Sequence, residues 1–273
     1  MTEAMLDAAL KFLGCENCRR AGKAELFQLQ KAQLDKIPYT NLPILVSGEP
    51  DLSMEAVFDR LILRQMGGYC FELNCLLAGI LRALGFEVTE YFGRWHFGIT
   101  DPVPPARHRM MVVTLPEGKF IADAGVASIA PVEPLAFEYG KIQNRPYGSF
   151  RLQASEKFGT VVETLAQDEW KEFYSFPQVP AFARDFEYVN YHCSTHETSV
   201  FRKKFFAVHQ NESCHVSIEN PSPETPYFQL VRRSRKEKNS RRIGSEAEFK
   251  RILRDEFRMG TIPEKLPELL KFD

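Results

Sequence analysis

Cys70 sits in a setting suited to nucleophilic chemistry. It follows Gly67, Gly68 and Tyr69 and opens an apolar run of Leu73, Leu76, Leu77, Ile80, Leu81 and Leu84. That spacing predicts one face of a buried helix, and Gly85 stands where it should end. Cys70 then lies at or just before the first turn, where free N–H groups and the helix dipole favour a thiolate. The two glycines predict a tight turn that leaves room for a substrate beside the sulfur. A single cysteine is otherwise an ordinary buried residue. Its chemistry needs a base, and the base needs a group to orient it.

His108 and Asp123 are the candidates for those roles. His108 opens a strand over residues 109–115, and Asp123 ends the returning strand over 119–123. With Glu117-Gly118 as the turn, Pro116 faces Lys119 and position 108 faces 127. Asp123 is then on the same side of the sheet as His108, because side chains alternate with period two. The separation is four places, about 13 Å, so twist, a bulge or a different turn must shorten it.

The elements that must carry these residues differ in texture along the chain. Residues 3–13 are rich in alanine and leucine. Leu26, Leu29, Leu34 and Ile37 mark a second helical stripe that Pro38 closes, and residues 39–43 read as a connector. Ser53 can cap a helix bearing Val57, Phe58, Leu61 and Ile62. From Phe86 onward, residues 87–95, 109–115, 119–123, 149–154 and 159–165 are short and rich in strand formers, which suggests a barrel or sandwich. Further strands are expected over 205–209, 214–218 and 227–231. Ser245 and Glu248 form a capping box before a late helix with Phe249, Ile252 and Leu253.

Composition narrows the function. A net charge of −1 gives no global field toward nucleic acid or anionic lipid. No apolar run reaches the ~18–20 residues of a membrane span, and the N-terminus lacks a signal-peptide pattern, so a cytoplasmic protein is expected. Six cysteines in a chain this long do not make a disulfide scaffold. Cys15 and Cys18 form a C-x-x-C pair without the second pair or histidines that zinc would want. The basic run Arg232–Arg242 has no interleaved aromatics and reads as a solvated hairpin tip rather than a nucleic-acid contact.

Residues 64–74 (Arg64-Gln65-Met66-Gly67-Gly68-Tyr69-Cys70-Phe71-Glu72-Leu73-Asn74), Gly85-Phe86-Glu87-Val88, His108 and Ala122-Asp123-Ala124-Gly125 together resemble the arylamine N-acetyltransferases. Ile37–Leu42, Asp185–Asn190, Ser194-Thr195-His196 and Arg242–Phe257 extend the resemblance over nearly the whole chain. It implies an α+β fold in three parts: a helical bundle over 1–86, a central β-barrel over 87–195 and a C-terminal α/β lid over 196–273. It implies a cysteine-protease-like triad of Cys70, His108 and Asp123. The implied reaction is ping-pong transfer of acetyl from acetyl-CoA to an arylamine or arylhydrazine, as in xenobiotic metabolism, with no other cofactor, no metal, no nucleic acid and no membrane. Phe71, Trp95, Arg107, Val126 and Ser128 are the substrate-pocket candidates by position.

The chain departs from the family pattern at three places. Met66 replaces the arginine that would tie helices to barrel, with Arg64 as a substitute. Val126 and Ala127 replace an aromatic residue and a glycine, which is expected to reshape the acceptor pocket and stiffen a loop near CoA. A related acyl-CoA-dependent acyltransferase or amide synthase with the same triad is the alternative.

Overall fold

The computed structural model describes residues 1–234 and 237–272. The chain begins with α1 (Glu3–Leu13), capped by the Thr2 hydroxyl and ended by Gly14 at φ 69°. Then come α2 (Lys23–Lys36), strand β1 (Tyr39–Thr40) and α3 (Leu42–Ser47). Ser53 caps α4 (Met54–Phe58), which runs into one π-helical turn (Asp59–Leu63), and α5 (Cys70–Ala83) completes the helical bundle.

Eight antiparallel strands follow: β2 (Glu87–Trp95), β3 (Ala106–Leu115), β4 (Gly118–Ala122), β5 (Leu135–Ala136), β6 (Gln143–Arg145), β7 (Gly148–Ser155), β8 (Gly159–Ala166) and β9 (Glu169–Phe176). Their order in the sheet is β5-β4-β3-β2-β9-β8-β7-β6. The chain leaving β5 bridges back to β7, with Gly140 N–H donating to the Leu152 carbonyl at 2.8 Å, so the sheet curls into a nearly closed barrel. β9 escapes sequence reading because charges at Lys171 and Glu172 interrupt its apolar pattern. It nevertheless joins β2 to β8.

The remaining elements are α6 (Ala183–Thr195), α7 (Val200–Lys203), β10 (Ala207–Gln210), β11 (His215–Glu219), β12 (Gln229–Arg233), β13 (Lys238–Arg242) and α8 (Glu246–Asp255), with a short 3-10 turn over Glu268–Leu270. The second sheet is ordered β1-β10-β11-β12-β13. Residues 39–40 are therefore not a mere connector: Tyr39 pairs with Val208 and Thr40 with Ala207. Asn41 locks this joint, donating to the Lys204 carbonyl at 2.8 Å and accepting from Phe206 N–H at 2.7 Å. The basic run lies on the β12–β13 hairpin, with Arg235 and Lys236 outside the described residues. Arg232 and Arg241 there pair with Glu256 and Glu248. Among the described residues no helix is long and apolar enough to cross a membrane.

β3 is buried on both faces, which its near-continuous apolar sequence requires. Met111 and Val113 face the helices, while Met110 and Val112 face the barrel core with Phe150, Leu152 and Phe173. Arg109 shares the helix-side parity. It is buried, donates to Glu90 at 2.6 Å and to the Phe71 carbonyl at 3.2 Å, and covers the Phe186 ring at 4.4 Å. This arginine ties α5 to the barrel. Among the described residues, Met66 is buried and makes no such tie, and Arg64 is half-exposed and its one ion pair is with Asp59, at 3.9 Å.

Removing Glu90 would strand the Arg109 guanidinium inside the protein. Glu90→Ala is expected to lower unfolding free energy by about 3 kcal/mol or more. Glu138→Ala, which breaks the exposed pair with Lys141, is expected to cost no more than about 0.5 kcal/mol. Urea denaturation of both variants checks the contrast.

Candidate active site

Cys70 is the first residue of α5, and its flanks are held from both sides. Tyr69 precedes the helix in extended conformation, with its N–H donating to Glu72 Oε2 at 3.3 Å. Glu72 is buried and paired with Arg60; burial raises its carboxyl above the usual range despite that partner. The Tyr69 hydroxyl donates to Asn190 of α6, and the Asn190 amide donates to the Pro50 carbonyl at 2.9 Å. The two glycines make room for protein rather than for substrate. A Cβ on Gly67 (φ +69°) would meet Thr40 and the Pro38 carbonyl at 2.8–2.9 Å, and one on Gly68 would meet Glu72 and Leu61 at 3.0 Å. Gly67 lets residues 38–40 pass directly behind the helix start, with Thr40 N–H bonded to the Gly68 carbonyl at 2.8 Å.

The β3–β4 register resolves the distance between His108 and Asp123. Leu115 pairs with Gly118 and Met111 with Ala122, so the turn residues are Pro116 and Glu117, not Glu117 and Gly118. Continued, this register puts position 125 opposite His108. Asp123 is then two places away, about 7 Å, instead of four. His108 also lies within β3, which starts at Ala106, and not at its opening. Past the end of β4 the chain turns inward and the two side chains meet, His108 Nε2 lying 2.6 Å from Asp123 Oδ2.

Asn74 fixes the carboxylate. Its amide nitrogen donates to Asp123 Oδ1 at 2.8 Å and also to the Arg109 carbonyl; its oxygen accepts from Ala124 N–H at 2.9 Å. Gly125 N–H donates to Asp123 Oδ1 at 2.8 Å, and Asp123 N–H donates to Gln30 of α2 at 3.0 Å. Gln30 in turn donates to the Pro131 carbonyl. Neither residue was among the sequence candidates. Asn74 had a signal, standing one turn after Cys70 on the same helix face. Gln30 is a buried polar residue beside Leu26, Leu29 and Leu34, and its role depends on a loop a hundred residues away.

With Nε2 committed to Asp123, Nδ1 is the ring nitrogen left for the thiol. Burial opposes charge on His108. The Asp123 carboxylate, the hydrogen bond to it and the neighbouring Cys70 outweigh burial and raise the imidazole from 6.5 to about 10. The ring is walled by Tyr174 and Trp95, with centroids 5.4 and 6.3 Å away. The Cys70 thiol donates to the Arg107 carbonyl at 3.8 Å.

Cys70 and His108 line a cavity of about 330 Å³, together with Trp95, Arg107 and Ser128. Phe71 and Val126 do not line it. Phe71 follows Cys70 on the helix and is turned into the bundle against Tyr69 and Phe186. Val126 is directed into the barrel core, next to the small residue Ala127, which does reach the cavity. Tyr39, Phe97, Phe201 and Phe206 supply the aromatic walls that sequence reasoning missed. They come from three distant segments and carry no local signal. The cavity adjoins a groove of about 910 Å³ between barrel and second sheet, sharing Phe97, Ala127, Ser128, Lys204 and Phe206.

Among the described residues no three His, Cys, Asp or Glu side chains are grouped to hold a metal. Cys15 and Cys18 are buried free thiols; burial and the proximity of Cys18 push Cys15 up to about 12, the reverse of an activated thiol.

A helix-borne thiol set against a barrel-borne imidazole and carboxylate is an arrangement capable of covalent acyl chemistry. A family model described as N-acetyltransferase matches residues 24–263, and the chain belongs to that family. The arylamine N-acetyltransferase of Mycobacterium tuberculosis is 34% identical over 170 residues, a match that spans 60% of either chain. That of Mycolicibacterium smegmatis is 32% identical over 201 residues, 72% of this chain and 73% of the relative. The solved Mycobacterium marinum arylamine N-acetyltransferase in complex with CoA superposes with a TM-score of 0.84 at 26% identity, over 93% of each chain.

Two outcomes follow from the geometry. A Cβ on Gly125 would lie 2.7 Å from Asn74 Nδ2 and from the Cys70 Cα. Gly125→Ala is therefore expected to lower stability by about 1–3 kcal/mol through overpacking, read by urea denaturation. His108 has a folded-state value above its unfolded one. Its charge therefore stabilises the fold fully below about pH 6.5, less as pH rises, and not at all beyond about 10. The difference in unfolding free energy between the protein and His108→Gln should shrink across that window. A difference independent of pH there contradicts the assignment.

Proposed function

We propose that this protein is an arylamine N-acetyltransferase that works through an acetyl-Cys70 thioester. The observation that carries the reading is the 2.6 Å His108–Asp123 contact beside Cys70 in an aromatic-walled cavity, within a chain of the N-acetyltransferase family. The Cys70 thiolate, ion-paired with the His108 imidazolium, attacks the acetyl carbonyl of acetyl-CoA. The CoA thiolate leaves and takes the proton held by His108. Exchange of one thioester for another is nearly isoenergetic, so a cysteine suits this step. An arylamine or arylhydrazine nitrogen then attacks the acetyl-cysteine, His108 accepts its proton, and the Cys70 thiolate departs. Asp123 keeps the imidazole in the required orientation and tautomer. Neither half-reaction calls for another cofactor.

The groove adjoining the cavity gives the CoA a path. Lys171, Lys204 and Arg233 line it and are available to its phosphates. The M. marinum relative, solved with CoA, supports this partner. Trp95, Ser128 and the phenylalanines of the cavity receive the acceptor ring. A cytoplasmic location agrees with the six free thiols, which stay reduced there.

The alternative, an acyltransferase or amide synthase with another donor, rests on Ala127 at the cavity wall. A panel of acyl-CoAs separates the two; equal use of acetyl and bulkier donors favours the alternative. Intact mass measured after mixing with acetyl-CoA should show one acetyl group, mapped to Cys70. Cys70→Ala should show none and form no acetylated arylamine. His108→Gln should slow adduct formation by about 10²–10⁴-fold, the usual worth of a positioned base. Full turnover by the alanine variant overturns the mechanism.

A further inference from the structure

Acyl transfer through Cys70 puts negative charge on the acyl oxygen twice, once in each half-reaction, and that oxygen needs donors. The loop amides packed beside the sulfur are not free to supply them. The chain at Gly125 approaches so closely that a Cβ there would lie 2.7 Å from the Cys70 Cα. Yet Ala124 N–H is spent on Asn74 Oδ1, and Gly125 N–H on Asp123 Oδ1. On the other flank, Tyr69 N–H is held by Glu72 and Thr40 N–H by the Gly68 carbonyl. Cys70 N–H, the first of α5, has no acceptor within the helix.

Tyr39 offers a side-chain donor. It lines the cavity together with Cys70 and is only 5% exposed. Strand β1 fixes it: Tyr39 pairs with Val208 and bridges to Gly68, two residues before Cys70. Thr40 turns its side chain toward Gly67, so alternation sends the Tyr39 ring the other way. The Tyr39 hydroxyl makes no hydrogen bond among the described residues. The Tyr69 hydroxyl, by contrast, is bonded to Asn190. Burial, and after it the neighbouring Cys70, hold the Tyr39 phenol well above its ordinary value, so it keeps its proton at neutral pH. A buried donor left unfilled is costly, and here an acceptor arrives with the acyl group.

We propose that Tyr39 is a catalytic residue whose hydroxyl donates a hydrogen bond to the acyl oxygen as that oxygen becomes an oxyanion, with Cys70 N–H as the second donor. This rests on the transferase reading above. The Cys70 thiolate adds its electron pair to the acyl carbon, and the C=O π pair moves onto the oxygen. Tyr39 holds that charge without giving up its proton. The pair returns to the carbon as the CoA thiolate leaves. The same cycle runs when the amine adds to acetyl-Cys70 and the Cys70 thiolate leaves.

The test is Tyr39→Phe, which removes one oxygen and keeps the ring. Two reactions of Cys70 are timed by intact mass in each protein: acetylation by acetyl-CoA alone, and alkylation by iodoacetamide. Alkylation displaces iodide from a saturated carbon and forms no oxyanion, so it reports the thiolate and the fold but not the donor. Acetylation is expected to slow by about 10²-fold, the usual worth of one oxyanion donor, while alkylation stays within about twofold. Transfer of acetyl from preformed acetyl-enzyme to 4-methoxyaniline should slow in the same proportion. The half-saturating acetyl-CoA concentration should stay level, because the bond is made in the transition state. Acetylation equally fast in both proteins overturns the Tyr39 assignment alone, and so does an equal slowing of acetylation and alkylation. Absence of an acetyl adduct on the natural protein overturns the transferase reading as well.

Discussion

Asn74 is the joint on which the candidate site depends. Cys70 and Asn74 are one helical turn apart and project from the same face of α5. One presents the sulfur. The other holds the Arg109 carbonyl of β3, the Asp123 carboxylate and the Ala124 N–H at once. The helix that carries the thiol therefore also sets the position of the carboxylate, and through it the imidazole. A carboxylate this deeply buried is costly unless its lone pairs are met. Asp123 meets them with Asn74, Gly125 and His108, while Gln30 pins its backbone.

Close approach is the second constraint. The loop after β4 touches the start of α5 because residue 125 has no side chain, residues 38–40 pass behind the helix start because residue 67 has none, and Leu61 and Glu72 close on residue 68 for the same reason. Glycines are concentrated where three segments of backbone crowd one helix end. The same crowding carries β1 into the second sheet, where Asn41 seizes the α7–β10 connection. Phe201, Lys204 and Phe206 are held over the cavity in this way. The helical third thus builds the floor of the cavity and anchors part of its roof.

Buried charge is handled in two ways around this centre. Glu90 with Arg109 holds the arginine that reaches α5 from the barrel, and Glu72 with Arg60 ties α5 to the π-helical turn within the helical bundle. His108 and Asp123 form a third pair that opens onto the cavity, and there the charge is available to a reacting group. Arg107 stands apart from all three: among the described residues it forms no ion pair, and its guanidinium lies 5.8 Å from the Phe201 ring centroid.

Short-range physics was legible in the residues alone. The 3.6-residue periodicity located α5, the Ser53 and Ser245 caps located the starts of α4 and α8, and period-two alternation put His108 and Asp123 on one side of a hairpin. The resemblance at Gly67–Asn74 and Ala122–Gly125 placed the chain in its family and its three-part fold. What needed the tertiary structure was everything decided by contacts far apart in sequence. A hairpin turn shifted by one residue changed the distance between two side chains without changing their parity. Phe71 and Val126 turned into cores because each core had space on that side. Tyr39 became a strand through a partner nearly 170 residues later, and β9 was recognisable only by the two strands it joins. Periodicity and capping are written within a few residues, whereas register, closure and the lining of a cavity follow from packing that no local pattern encodes.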